Sequence, residues 1–129
     1  MTHDIKYAPL KHTGLAHLWS AAGYSAGGLA RLAKEAAFRQ EILAGAGLAL
    51  AYGVMDVATA IRLSAAVLFL LLVAMEAVNT AIEEIIDRIS PELSETGKHA
   101  KDLGSLAVFC LISANSILLL YALSIEFTT

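Results

Sequence analysis

One cysteine, Cys110, is all that 129 residues supply, which excludes an internal disulfide framework and any CxxC metal knuckle. Charge is also scarce: Asp, Glu, Lys and Arg make up 16% of the chain, where soluble proteins run near 25%. No basic excess exists, since the formal net charge is −3, and that counts against a nucleic-acid binder, which needs a basic stripe. Walker A (GxxxxGKS/T), GxGxxG and the kinase HRD/DFG set are all missing, so a nucleotide enzyme here needs another architecture. What is present is apolar: 57% of residues are AVILMFWYC. A chain with room for one domain buries too little of its own surface to hide that much from water. Lipid is the solvent this composition implies.

Residues 103–125 run 23 positions without a formal charge, enough to cross a hydrocarbon core of roughly 30 Å. Residues 63–75 are also charge-free, and the apolar pattern continues to Ile86. Residues 42–55 form a shorter third stretch rich in Ala and Gly, which suits close helix packing in lipid. The reading is therefore all-α: one membrane-embedded domain over 1–129, with membrane helices at about 42–57, 61–89 and 103–125. Ahead of them, 15–41 mixes Leu15, Leu18, Trp19, Leu29 and Phe38 with Arg31, Lys34 and Arg39. That suits an amphipathic helix lying in the interface, with Trp19 and Tyr24 as anchors. Ser90-Pro91 is expected to stop the second membrane helix. The N-terminal stretch has no compact apolar run of the kind a cleavable signal needs.

Lys6, Lys11, Arg31, Lys34 and Arg39 precede the first span, and Arg88, Lys98 and Lys101 lie between the second and third. Arg62 alone lies in the other loop. The asymmetry places the N-terminus and the second loop in the cytoplasm and the C-terminus outside.

Polar chemistry concentrates at the cytoplasmic end of the second span. Glu76, Asn79, Glu83 and Asp87 are spaced 3, 4 and 4 apart, so at about 100° per residue they form one narrow polar stripe on an apolar helix. An ionisable group this close to hydrocarbon is costly and points to function. Three carboxylates and an amide offer hard oxygen ligands for Mg²⁺ and a spare carboxylate for proton transfer. Glu84 points away from the stripe and reads as a snorkelling helix-end charge. Glu35 to Glu41 puts further carboxylates just before the first span, and Lys101-Asp102 sits just before the third. A lysine there can grip phosphate as a point charge, and an aspartate can orient it or bind metal.

The run Glu76-Ala77-Val78-Asn79-Thr80-Ala81-Ile82-Glu83-Glu84-Ile85-Ile86-Asp87 resembles the Glu-x-x-Asn-Ser/Thr-Ala-x-Glu-x-x-x-Asp signature of bacterial integral-membrane diacylglycerol kinases. Similarity extends through Ala100–Ser105 and upstream through Ala21–Ser25 and Glu35–Glu41, covering roughly 20–125. The resemblance implies a homotrimer with active sites shared between neighbours in the bacterial inner membrane. It further implies transfer of the γ-phosphate of MgATP to diacylglycerol, giving phosphatidic acid. On that pattern Glu76 is the base near the lipid hydroxyl, and Glu35 and Glu83 hold Mg²⁺. Asn79, Asp87, Lys101 and Asp102 complete the catalytic polar site, and Tyr24 and Glu92 border the nucleotide. Ala21, Ala22, Gly23, Tyr24, Ser25 and Ala26 would line the lipid side, with Ala37, Phe38, Arg39, Gln40, Glu41 and Ser105. The sequence departs from the pattern at His17, where the family carries arginine, and is one residue shorter between Ser25 and Glu35.

Two other readings compete. A polyprenol kinase shares signature and mechanism, but Glu35–Glu41 fits the diacylglycerol branch. A small proton or cation pathway would need polar groups across the membrane, against the charge-free third span. Cys110, mid-span with no charged neighbour, is expected to be an inert packing residue.

Overall fold

The computed structural model describes residues 14–92 and 94–128. Lys6 and Lys11, used above for orientation, lie outside them. Four helices account for the architecture among the described residues: α1 (Leu15–Leu32), α2 (Ala36–Val54), α3 (Thr59–Ile89) and α4 (Glu95–Glu126). The chain divides into two units, one ending at Arg31 and carrying nearly all of α1, the other running from Leu32.

α1 stands on its own as a helix whose large apolar side chains Leu15, Leu18, Trp19 and Leu29 are all exposed. It stops at Leu32, so the surface helix expected over 15–41 is shorter than its sequence pattern. The physical reason lies in Arg39, whose guanidinium donates to the carbonyls of Lys34 (2.9 Å) and Ala33 (3.4 Å). Glu35 is extended (φ −75, ψ 135) and α2 starts behind it. Carbonyls that helix continuation would have used are thus satisfied by a side chain instead.

In the second unit α3 and α4 form an antiparallel hairpin. The register is visible in pairs whose numbers run in opposite directions: Asp87 with Lys101, Asn79 with Gly104, and Leu68 with Asn115. α3 ends at Ser90-Pro91 as the sequence requires, with Ser90 N–H donating to Ile86 O at 2.8 Å. α4 begins at Glu95, eight residues before the charge-free run, because Ser94 caps it by accepting from Gly97 N–H at 3.0 Å. Hydropathy alone reads that polar first part as a loop. α2 packs on α3 through Gly45, where a Cβ would collide with the ring of Phe69; glycine is what lets the two helices approach.

α3 and α4 are each long and apolar enough to cross a membrane, and only 11% and 17% of their most apolar windows are buried within the chain. Core helices of a soluble protein would be mostly buried. Among the described residues no large side chain is fully buried, whereas Leu63, Leu70, Leu103, Phe109, Ile117 and Leu120 stand exposed. Cys110 is exposed as well.

The best-packed apolar cluster lies at one end of the unit, where Tyr52, Met55, Val57 and Ala122 are buried together. Arg62 closes α2 there, donating to Tyr52 O (3.1 Å) and Met55 O (2.8 Å). A cation on the last carbonyls of a helix complements its dipole. Glu126 accepts from the Asp56 backbone N–H at 2.9 Å, tying the end of α4 to the same turn.

Candidate active site

The opposite end of the unit holds the polar stripe. Because α3 runs toward it while α2 and α4 run away from it, Glu41, the residues from Glu76 to Asp87, Lys101 and Asp102 all fall at this end. The helical period puts Glu76 and Asn79 on the inner face, 5% and 7% exposed. Thr80 is buried beside them, while Glu83 is half-buried and Asp87 exposed. The stripe therefore runs from the interior outward along α3.

Specific contacts connect its members. Asn79 Nδ2 donates to Glu83 Oε1 at 3.2 Å. Lys101 Nζ reaches Asp87 Oδ1 across the hairpin, and Lys98 pairs with Asp102 one turn apart on α4. Such exposed pairs contribute little to stability; their effect is to arrange two lysines and two aspartates beside the turn. A cavity of about 190 Å³ opens there, lined by Asp87, Ser90, Glu92, Lys98, Lys101 and Asp102 among others.

A larger cavity, about 640 Å³, runs between α2, α3 and α4. Its lining reaches from Ala37 to Ala51 along α2, a length of about 20 Å at 1.5 Å per residue. The walls are almost wholly apolar, with Leu48, Phe69, Leu72, Val108 and Leu119 among them, and Glu41 and Glu76 both line it. Glu41 is 9% exposed, and its Oε2 has no hydrogen-bond partner among the described residues. A buried acceptor without a donor is costly. Here it lines a cavity rather than packed protein.

The other sequence candidates divide. Ala37 and Gln40 line the large cavity with Glu41. Phe38 is buried but not among the lining residues, and Arg39 is committed to the carbonyls behind Glu35. Glu35 sits at the N-cap of α2, half-buried. Ser105 is exposed on α4, next to buried Gly104. Ala21, Ala22, Gly23, Tyr24, Ser25 and Ala26 lie along α1, exposed except for half-buried Ala21.

Asn115 escaped sequence reasoning. It is buried mid-hairpin, donating to Leu111 O (2.8 Å) and Leu68 O (3.3 Å), and lines the large cavity. The available signal was an amide inside a charge-free run, which in lipid must find a partner.

No group of three His, Cys, Asp or Glu side chains is placed to hold a metal among the described residues. Mg²⁺ does not require one, because it is commonly held by one or two carboxylates together with substrate phosphates and water. Glu83, with one oxygen held by the Asn79 amide, has the chemistry of such a donor.

The family model for prokaryotic diacylglycerol kinase matches residues 23–123. A Sinorhizobium protein named diacylglycerol kinase is 53% identical over 111 residues, covering 86% of this chain and 81% of its own. Proteins of the same name are 38% identical in Pseudomonas aeruginosa (85% of this chain, 91% of the relative). In Escherichia coli K12 the figure is 41% (78% and 83%).

Proposed function

The chain belongs to the prokaryotic diacylglycerol kinase family, which makes it a lipid kinase acting on diacylglycerol, and from that premise we propose how its residues divide the work. The observation that carries the proposal is that Glu41 and Glu76, the two carboxylates among its lining residues, share one long, mostly apolar cavity. An amphiphile with a hydroxyl at its head and an acyl chain behind it fits those walls.

Glu76 is the general base. It takes the proton of the lipid hydroxyl as that oxygen bonds to the γ-phosphorus of ATP and the bond to the ADP oxygen breaks, giving phosphatidic acid. Glu41 supplies a bare acceptor for the lipid head, and Ala37, Gln40 and Ser105 lie on the lipid side with the α1 segment 21–26. Glu35 and Glu83 would hold Mg²⁺, which when bound offsets the charge on the phosphates; phosphoryl transfer needs that neutralisation and in-line positioning more than covalent chemistry. Asn79 orients Glu83. Lys101 grips phosphate, with Asp87 and Asp102 holding the lysines in place, and Tyr24 and Glu92 border the nucleotide.

We place α2, α3 and α4 across the bacterial inner membrane with α1 on its cytoplasmic surface and the C-terminus outside. The distribution of basic residues supports this. Arg62, the one basic residue on the far side, is bound to α2 carbonyls. A homotrimer with shared sites accounts for the apolar surface left exposed.

The test offers purified, lipid-reconstituted protein labelled ATP with diacylglycerol, with undecaprenol, or with neither, and separates products by thin-layer chromatography. Label in phosphatidic acid is expected. Label in the polyprenol product alone, or in no lipid, would overturn the proposal.

A further inference from the structure

Gly104 is buried on α4, opposite Asn79 on α3. A Cβ on residue 104 would fall well inside van der Waals contact distance of the Asn79 side-chain oxygen and 3.2 Å from its Cγ. The Asn79 Cα would be 3.7 Å away, an ordinary contact. The conflict is thus with the amide head, not with α3 as a body. That amide donates Nδ2 to Glu83 Oε1 at 3.2 Å, and its Oδ1 is buried with no partner among the described residues. A helix interior otherwise disfavours glycine, and a buried carbonyl disfavours isolation. Both costs are met at one point of contact, and what they secure is the direction of the Asn79 amide.

We infer that Gly104 is a positioning residue. By presenting no side chain it seats Oδ1 of Asn79 against the α4 backbone, which keeps Nδ2 on Glu83 and presets that carboxylate. Any side chain at 104 would swing the amide away and leave Glu83 to rotate. This rests on the reading of Glu83 as a ligand of the nucleotide-bound metal, and the experiment separates the two.

Gly104→Ala, Asn79→Ala, Glu83→Gln and the double variant Asn79→Ala/Gly104→Ala are made in the full chain. Two readouts do not depend on turnover: the thermal midpoint by circular dichroism, and Mn²⁺ affinity by electron paramagnetic resonance with a non-hydrolysable ATP analogue. Gly104→Ala is expected to weaken Mn²⁺ binding at least tenfold. It should lower the midpoint in the wild-type background but not in the Asn79→Ala background, where the amide head in its way is gone. Wild-type Mn²⁺ affinity in folded Gly104→Ala overturns the inference. So does an equal midpoint loss in both backgrounds, because the glycine would then serve helix packing. If Gly104→Ala fails to fold, recovery of the fold in the double variant supports the inference and continued failure overturns it. Unchanged Mn²⁺ affinity in Glu83→Gln removes Glu83 from the metal site, and the midpoint comparison alone then decides for Gly104.

Discussion

At the Arg62 end, α2, α3 and α4 close over Tyr52, Met55, Val57 and Ala122, and Arg62 and Glu126 satisfy backbone groups that the turn leaves open. At the Glu76 end the same three helices bury Glu41, Glu76 and Asn79, and leave Glu41 Oε2 and Asn79 Oδ1 without partners among the described residues. Both ends draw on the same three helices, so helix propensity does not distinguish them. The difference is in how polar groups are treated. One end pairs them and gains stability; the other leaves two buried oxygens bare, which is costly and makes sense where a substrate supplies the missing partner.

Breaking this contrast at its polar end has the largest expected effect. Glu76→Gln keeps the volume and removes the base, and general-base catalysis is typically worth about 10²–10⁴-fold; turnover in the thin-layer assay should fall by that much. Glu83→Gln and Glu35→Gln should each reduce turnover by about tenfold or more and raise the Mg²⁺ needed for half-maximal activity, since Mg²⁺ depends on few carboxylates. An unchanged Mg²⁺ titration in both variants would remove them from the metal site. Arg62→Ala attacks the other end: it strips a cation from two carbonyls, about 1.5–3 kcal/mol for a hydrogen bond to a charged group. It should lower the thermal midpoint while turnover per folded molecule stays near wild type. Cys110→Ala should change neither quantity, because the thiol is exposed on α4 and lines neither cavity of the site; loss of turnover with retained folding would assign it a role.

The contrast was only half legible in the sequence. Glu76, Asn79, Glu83 and Asp87 could be placed on one face because a 3.6-residue period fixes them whatever surrounds the helix. Ser90-Pro91 marked the end of α3 for a local reason, and that end is observed. The break at 33–35 was hidden, because it depends on Arg39 folding back onto carbonyls five and six residues earlier. The start of α4 was displaced for a related reason: hydropathy detects where lipid begins, whereas Ser94 and Gly97 set where the helix begins. Arg62 counted as a lone charge in a loop, and only its contacts reveal a helix cap. The unpartnered state of Glu41 and the seat that Gly104 gives Asn79 belong to interhelical packing, which one-dimensional periodicity does not encode.

The most direct measurement sets lipid phosphorylation beside nucleotide binding and sedimentation on one preparation of Glu76→Gln. The expected result is turnover reduced about 100-fold or more, with MgATP affinity and assembly retained, because Glu76 is one turn from Asn79 and nearly two from Glu83 and meets the lipid rather than the nucleotide. Near-normal turnover by the folded variant would contradict the division of labour between the two ends. It would pass the role of base to Asp102 or Asp87.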